Sequence, residues 1–221
     1  MLTKNEEKLA EVRERTVEIL NDLTISQKLA LQALEICDSK SFEQVKVPLK
    51  SIGKKVTDID NLILTIFALY TPEARDLREM VAFLKITSAL QRIATNEKNY
   101  IKNMAICNPE LDEDIKRIIK ESLHINRCTI RTLEYTMEMV NETEDMEKLK
   151  ELNAKIDVEY SKTDDIYAMI EKDVLQVMHN TYSMNDENVN ILKYIRKNLK
   201  IIDRLEDISS RLLFARIGGK L

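Results

Sequence analysis

Apolar residues recur along most of the chain at alternating steps of three and four, interrupted by a few polar clusters. That spacing belongs to helices that bury one stripe and leave the rest to water. The first such run extends from about Asn5 to Cys37, through Leu9, Val12, Thr16, Ile19, Leu23 and Ala30. After the polar break at 38–41, where Ser41 is a plausible cap, a second runs from Phe42 to Tyr70. Pro48 lies in its first turns and Gly53 inside it, so it should kink or start late. The third opens on Thr71, Pro72 and Glu73, which suit a cap, a first helical position and the positive end of a helix dipole. It continues through Leu77, Met80, Val81, Leu84, Ala89, Leu90 and Ile93 to about Cys107.

Asn108 and Pro109 break the pattern, and three further runs follow. The fourth carries Ile115, Ile118, Ile119, Ser122, Ile125, Thr129, Leu133, Met137 and Val140. An acidic turn over 141–145 leads to the fifth, through Leu149, Leu152, Ile156, Tyr160, Ile166, Ile170 and Val174. The polar segment 179–186 precedes the sixth, about Glu187 to Ile217, which Gly218 and Gly219 close with Arg216 near its negative end. Three helices, a break and three helices read as an internal duplication. Sliding the third run onto the sixth pairs Met80 with Leu192, Phe83 with Ile195, Lys85 with Lys197, Leu90 with Ile202, Arg92 with Arg204 and Ile93 with Leu205. The expected fold is all-α: two tandem three-helix bundles over residues 1–107 and 110–217, with a tail at 218–221.

Composition supports this architecture and removes several functions. Three Gly, three Pro and no Trp in 221 residues leave too few turn formers for a many-stranded sheet. A net charge of -4 argues against non-specific nucleic-acid binding, which wants a basic excess. The N-terminus lacks the apolar centre of a signal peptide, and the longest apolar stretch, Leu62 to Tyr70, is far short of a bilayer span. Cys37, Cys107 and Cys128 form no paired pattern and no metal-ligand spacing, which reads as reduced thiols in the cytoplasm. There is no glycine-rich phosphate loop, and the two histidines are far apart with no glycine-framed nucleophile. No residue is read as catalytic.

Within the third helix, Pro72, Ala74, Asp76, Leu77, Arg78, Lys85, Leu90, Gln91, Arg92 and Ile93 stand in an order that resembles the signature of the PhoU family. That signature is a P-x-A-x-D-L-R helix start followed by a lysine and L-E-R-I-G-D. The resemblance implies two three-helix repeats side by side and a cytoplasmic, often dimeric, regulator of phosphate uptake. Such a regulator contacts the phosphate-sensing histidine kinase and the ATPase subunit of the phosphate ABC transporter, and reaches the membrane only through those partners. It damps the starvation response when phosphate is ample.

The resemblance also directs attention to acidic residues four apart on each third helix, which in PhoU-like proteins can hold a cluster of divalent or transition-metal ions. Side chains at that spacing share a helix face. The second repeat keeps the pair as Asp203 and Asp207; the first has Gln91 and Thr95 instead. Lys200, Arg204 and Arg211 lie three or four residues from the aspartates, so an ion-paired, solvated face is the alternative and the one favoured here. Asp76 and Arg78, with Gln91, Arg92 and Arg204, are candidates for partner binding or for locking the helix junction, the structural role being favoured for the first two. Glu121 and His124 have the Glu-x-x-His spacing of di-iron bundles, but His179 has Gln176 where the second motif needs Glu. A ferritin-like or other metal-binding bundle and a dimeric helical scaffold are the rival readings.

Overall fold

A computed structural model describes residues 4–37, 40–70, 74–107, 110–181 and 186–218, without the side chains of 177–189. The third helix's proposed start (71–73), the break at 108–109 and Gly219 lie outside the described residues, as does the side chain of His179. The described residues contain no strand. Helix α1 spans Lys4–Ile36, the short α2 Phe42–Val45, α3 Ile52–Leu69, α4 Ala74–Met104, α5 Glu113–Asn141, α6 Met146–Thr181 and α7 Asp186–Ile217. The second run does start late. Pro48 heads a single 3-10 turn at Pro48–Lys50, and only Ile52 begins continuous α-helix. Ser41 precedes α2 without a side-chain cap to it.

Several helix ends are set by the residues that mark them in the sequence. Asp112 caps α5 by accepting from the Asp114 backbone N–H at 2.9 Å. In the acidic turn, Asp145 Oδ1 accepts from the N–H groups of Glu147 (3.0 Å) and Lys148 (2.9 Å) at the start of α6. Glu142 accepts from two more backbone N–H groups there, and these, with Lys148, hold its carboxyl down to about 2. Gly218 ends α7 at φ 87, a left-handed conformation open to glycine without a Cβ penalty.

The buried stripes follow the sequence pattern closely. All six apolar or small positions assigned to α1 are buried, as are Leu149, Leu152, Ile156, Ile170 and Val174 of α6. Leu77 departs from it: placed on the apolar stripe of α4, it is 44% exposed near the end of the bundle. Helices α1, α3 and α4 form one antiparallel unit and α5, α6 and α7 a second. The units meet through their first and third helices, α1 on α5 and α4 on α7, with α3 and α6 on the flanks. One continuous core runs through both. Buried threonines on α5 are accommodated in the core without unpaired hydroxyls. Thr129, Thr132 and Thr136 each donate to the carbonyl four residues back at 2.7–2.9 Å, satisfying their hydroxyls locally while staying small.

The cysteine reading needs correcting. Cys37 and Cys107 form a disulfide with 5.1 Å between their Cα atoms, and Cys128 is a buried free thiol. In an up-down-up unit the C-terminal ends of the first and third helices fall at the same end, so residues 70 apart in sequence become neighbours. No helix among the described residues is long and apolar enough to cross a membrane.

Candidate functional site at the seam of the two repeats

Helix α4 runs antiparallel to α7 along the largest contact in the molecule. At one end Glu79 accepts from Arg216 of α7 at 2.6 Å and from Arg13 of α1 at 2.8 Å. The side chains of Glu79 and Arg216 are each 3% exposed, so this is a buried charge triad tying three helices. It corrects the expected role of Arg216, which does more than complement a helix end. Asn5 of α1 donates to Asp76 nearby. Arg78 lies against Gly218 at the end of α7, where a Cβ would stand 3.4 Å from its Nη1. Its charge therefore sits at the negative end of that helix.

Farther along, a chain of buried amides and hydroxyls crosses the centre. Tyr100 of α4 donates to Asn126 of α5 at 2.8 Å, and Asn126 donates to Gln27 of α1 at 3.1 Å. Gln27 in turn donates to Asn198 of α7 at 3.2 Å, and the Thr129 hydroxyl stands 3.3 Å from the same oxygen. All four inner helices contribute. One turn before Tyr100 lies Glu97, fully enclosed, with neither carboxyl oxygen hydrogen-bonded. Desolvation raises its pKa to about 8. Ser26, the hydroxyl that works against the shift, gives its proton to the Val45 carbonyl at 2.9 Å.

Where the seam opens to water, Lys85, Ser88, Ala89 and Arg92 of α4 face Arg204, Asp207 and Arg211 of α7 across a cleft of about 160 Å³. One nitrogen of Arg211, Nη2, straddles the Asp207 carboxylate at 3.0 and 3.1 Å, and Arg204 stands 3.5 Å from it. Four cations thus line a cleft that holds one carboxylate. Beyond this cleft α7 presents Lys193, Arg196, Lys197 and Lys200 beside Asn103 of α4, so the basic character continues along the seam.

Of the residues singled out in the sequence, Arg92, Arg204 and Asp207 come together in the cleft. Gln91 turns the other way, its Oε1 3.6 Å from where a Cβ on Gly53 of α3 would lie. Thr95 donates to the Gln91 carbonyl at 2.9 Å. Asp203 points toward α6, where partial desolvation and then the charge of Asp164 raise its pKa. A metal ion fits this set poorly. The Asp207 carboxylate is already covered by guanidinium groups, and among the described residues no three His, Cys, Asp or Glu side chains converge as metal ligands. His124 is exposed on a separate cleft with Lys116, Lys120 and Arg127, beside the disulfide.

Sequence reasoning did not find Glu79, Glu97, or the Gln27–Asn126–Asn198 chain. Their only signal was a polar residue at a position that the three-four spacing makes internal, as with Glu97 four residues past Ile93.

Two three-helix units joined through their first and third helices, with a charged seam between them, define an all-helical tandem bundle. Residues 18–105, most of the first unit, match the family model of the PhoU domain. The whole chain has the fold of PhoU from Pseudomonas aeruginosa, with a TM-score of 0.84 at 18% identity, covering 97% of this chain and 99% of that one. It is also similar to the phosphate transport system regulatory protein PhoU of Streptococcus pneumoniae, with a TM-score of 0.74 at 17% identity and 99% of both chains covered. A putative PhoU-like phosphate regulatory protein of Shewanella oneidensis matches at 0.66 and 14%, over 92% of this chain and 94% of that one. No curated protein matches the sequence.

Proposed function

We propose that the chain is a PhoU-like regulator of phosphate uptake. The observation that carries the proposal is the match to the PhoU domain over residues 18–105, in a chain that follows PhoU structures nearly end to end. On this reading the protein is a cytoplasmic, non-enzymatic adaptor, a homodimer built from the repeats 1–107 and 110–217 with a short tail at 218–221. It works by contact, joining the phosphate-sensing histidine kinase to the ATPase subunit of the phosphate transporter and repressing the starvation response when phosphate is ample.

The seam is the surface best suited to that work. Lys85, Arg92, Arg204 and Arg211 are carried on long helices whose buried faces fix their positions, and a rigid basic face selects acidic partners and speeds their encounter. Asp76 and Arg78 serve the bundle junction on this reading, since each is turned to α1 or to the end of α7. Affinity co-purification from the native cell, in phosphate-rich and phosphate-starved medium, tests the proposal. Recovery of the kinase or the ATPase subunit, changing with phosphate and lost with Arg92→Glu, is expected. Recovery of neither in both media would overturn it.

A further inference from the structure

We infer that the cleft between α4 and α7 binds a tetrahedral phosphate oxyanion. The reasoning starts from unused donors. Among the described residues Lys85, Ser88 and Arg92 make no side-chain hydrogen bond or ion pair, although all three face the cleft. Arg211 keeps its Nε buried without an acceptor, while its Nη2 holds Asp207. Donors that face a cleft and have no protein acceptor are left to water, and an anion there offers them a charged acceptor.

The charge balance points the same way. Lys85, Arg92, Arg204 and Arg211 contribute four positive charges and Asp207 takes back one. The carboxylate lies among the α7 arginines and orients Arg204 and Arg211 without neutralising the α4 side. Arginine forks and a lysine point charge are the usual partners of phosphate oxygens, and Ser88 adds a neutral donor. A cleft of about 160 Å³ holds several waters, and so has room for one phosphate group. The apposition of α4 and α7 is what assembles the site, because neither helix alone supplies more than two of the cations.

Free inorganic phosphate and the phosphomonoester headgroup of a lipid share this chemistry. The test is titration of the full chain with inorganic phosphate at low ionic strength, followed by calorimetry or phosphorus NMR, alongside co-sedimentation with phosphatidylcholine vesicles containing phosphatidic acid. Saturable binding with a Kd on the order of 0.1–1 mM is expected for free phosphate. Arg92→Ala and Lys85→Ala, both exposed and free of folding contacts, should each weaken it about tenfold, while Lys50→Ala, an equal charge change elsewhere, should leave it unaltered. Vesicle binding with the same variant pattern, and no response to free phosphate, would assign the site to a headgroup. No binding of either ligand up to about 10 mM phosphate, or binding equally sensitive to Lys50→Ala, overturns the inference. Any regulatory meaning rests on the proposed function, but the titration does not involve partner proteins. Its failure removes the oxyanion site alone, whereas failed co-purification removes the adaptor and leaves the site.

Discussion

Replacing Glu97 by glutamine should make the protein more stable at neutral pH, by an amount that depends on pH in a specified way. The carboxyl is fully enclosed between α4 and its neighbours, and neither oxygen has a hydrogen-bond partner. Its pKa is raised to about 8, against 4.5 for the free side chain. Between those values the unfolded chain has released the proton and the folded chain still holds it, so stability falls as pH rises. The favourable contribution is complete below about pH 4.5 and is lost as pH passes through about 8. At 1.36 kcal/mol per pH unit, the loss is about 3 kcal/mol at pH 7 and about 4 at pH 8. Glutamine has nearly the same shape and cannot ionise, so it removes the pH term while leaving the packing. Urea unfolding of both proteins by far-UV circular dichroism, at about pH 5, 7 and 8, gives the difference directly. The two should differ by no more than about 1 kcal/mol at the lowest pH, with the glutamine variant ahead at the highest. A difference that stays constant across the series would refute the reasoning, since Glu97 would then titrate alike in both states.

Other sites give separate tests. Glu79→Ala leaves Arg216 buried beside Arg13 with no counter-charge, and should cost about 3–5 kcal/mol in the same unfolding assay. Asp207→Asn, at a side chain 34% exposed, should change stability by less than about 1 kcal/mol, which thermal melts can resolve. Cys37→Ser opens the link between the ends of α1 and α4 and should lower stability by about 2–4 kcal/mol, while mass spectrometry of the non-reduced parent shows one alkylatable thiol after unfolding. Asn126→Leu removes the acceptor of Tyr100 and the donor to Gln27, and should cost about 2 kcal/mol or more, measured by chemical denaturation.

The fold was legible because burial in a helical bundle is written at a fixed period. Leu9 to Ala30 of α1 and Leu149, Leu152, Ile156, Ile170 and Val174 of α6 read directly as core, Tyr160 and Ile166 being half-buried, and Pro48 announced the late start of α3. The seam was half legible. Lys85 and Arg92 could be paired with Lys197 and Arg204 by sliding one repeat along the other, but that alignment says which positions are equivalent, not which face each other. In the antiparallel seam, Lys85 and Arg92 share a cleft with Arg204 and Arg211. The disulfide was missed because spacing along the chain carries no information about which helix ends coincide in space. Glu97 was missed for a different reason. A glutamate in a charged helix looks like a solvated one until the neighbouring helices are in place.

The buried polar chain explains why the two repeats behave as one body. Apolar faces alone would let α1 slide on α5 and α4 on α7 by a helical turn at modest cost, since leucine and isoleucine pack in many registers. The Tyr100–Asn126–Gln27–Asn198 chain forms only when all four inner helices are in one alignment, the Asn198 Nδ2 alone staying unpaired among its amide groups. A slip would leave several buried amides unpaired, each at about 1–3 kcal/mol. The Arg13–Glu79–Arg216 triad imposes the same condition at the end of the seam. Between these two locks lies the cleft, whose cations come from α4 on one side and α7 on the other. Register is therefore what sets the distance between the two halves of the site. A core substitution such as Asn198→Leu, far from solvent, should weaken ligand or partner binding at the cleft even where the helices remain folded.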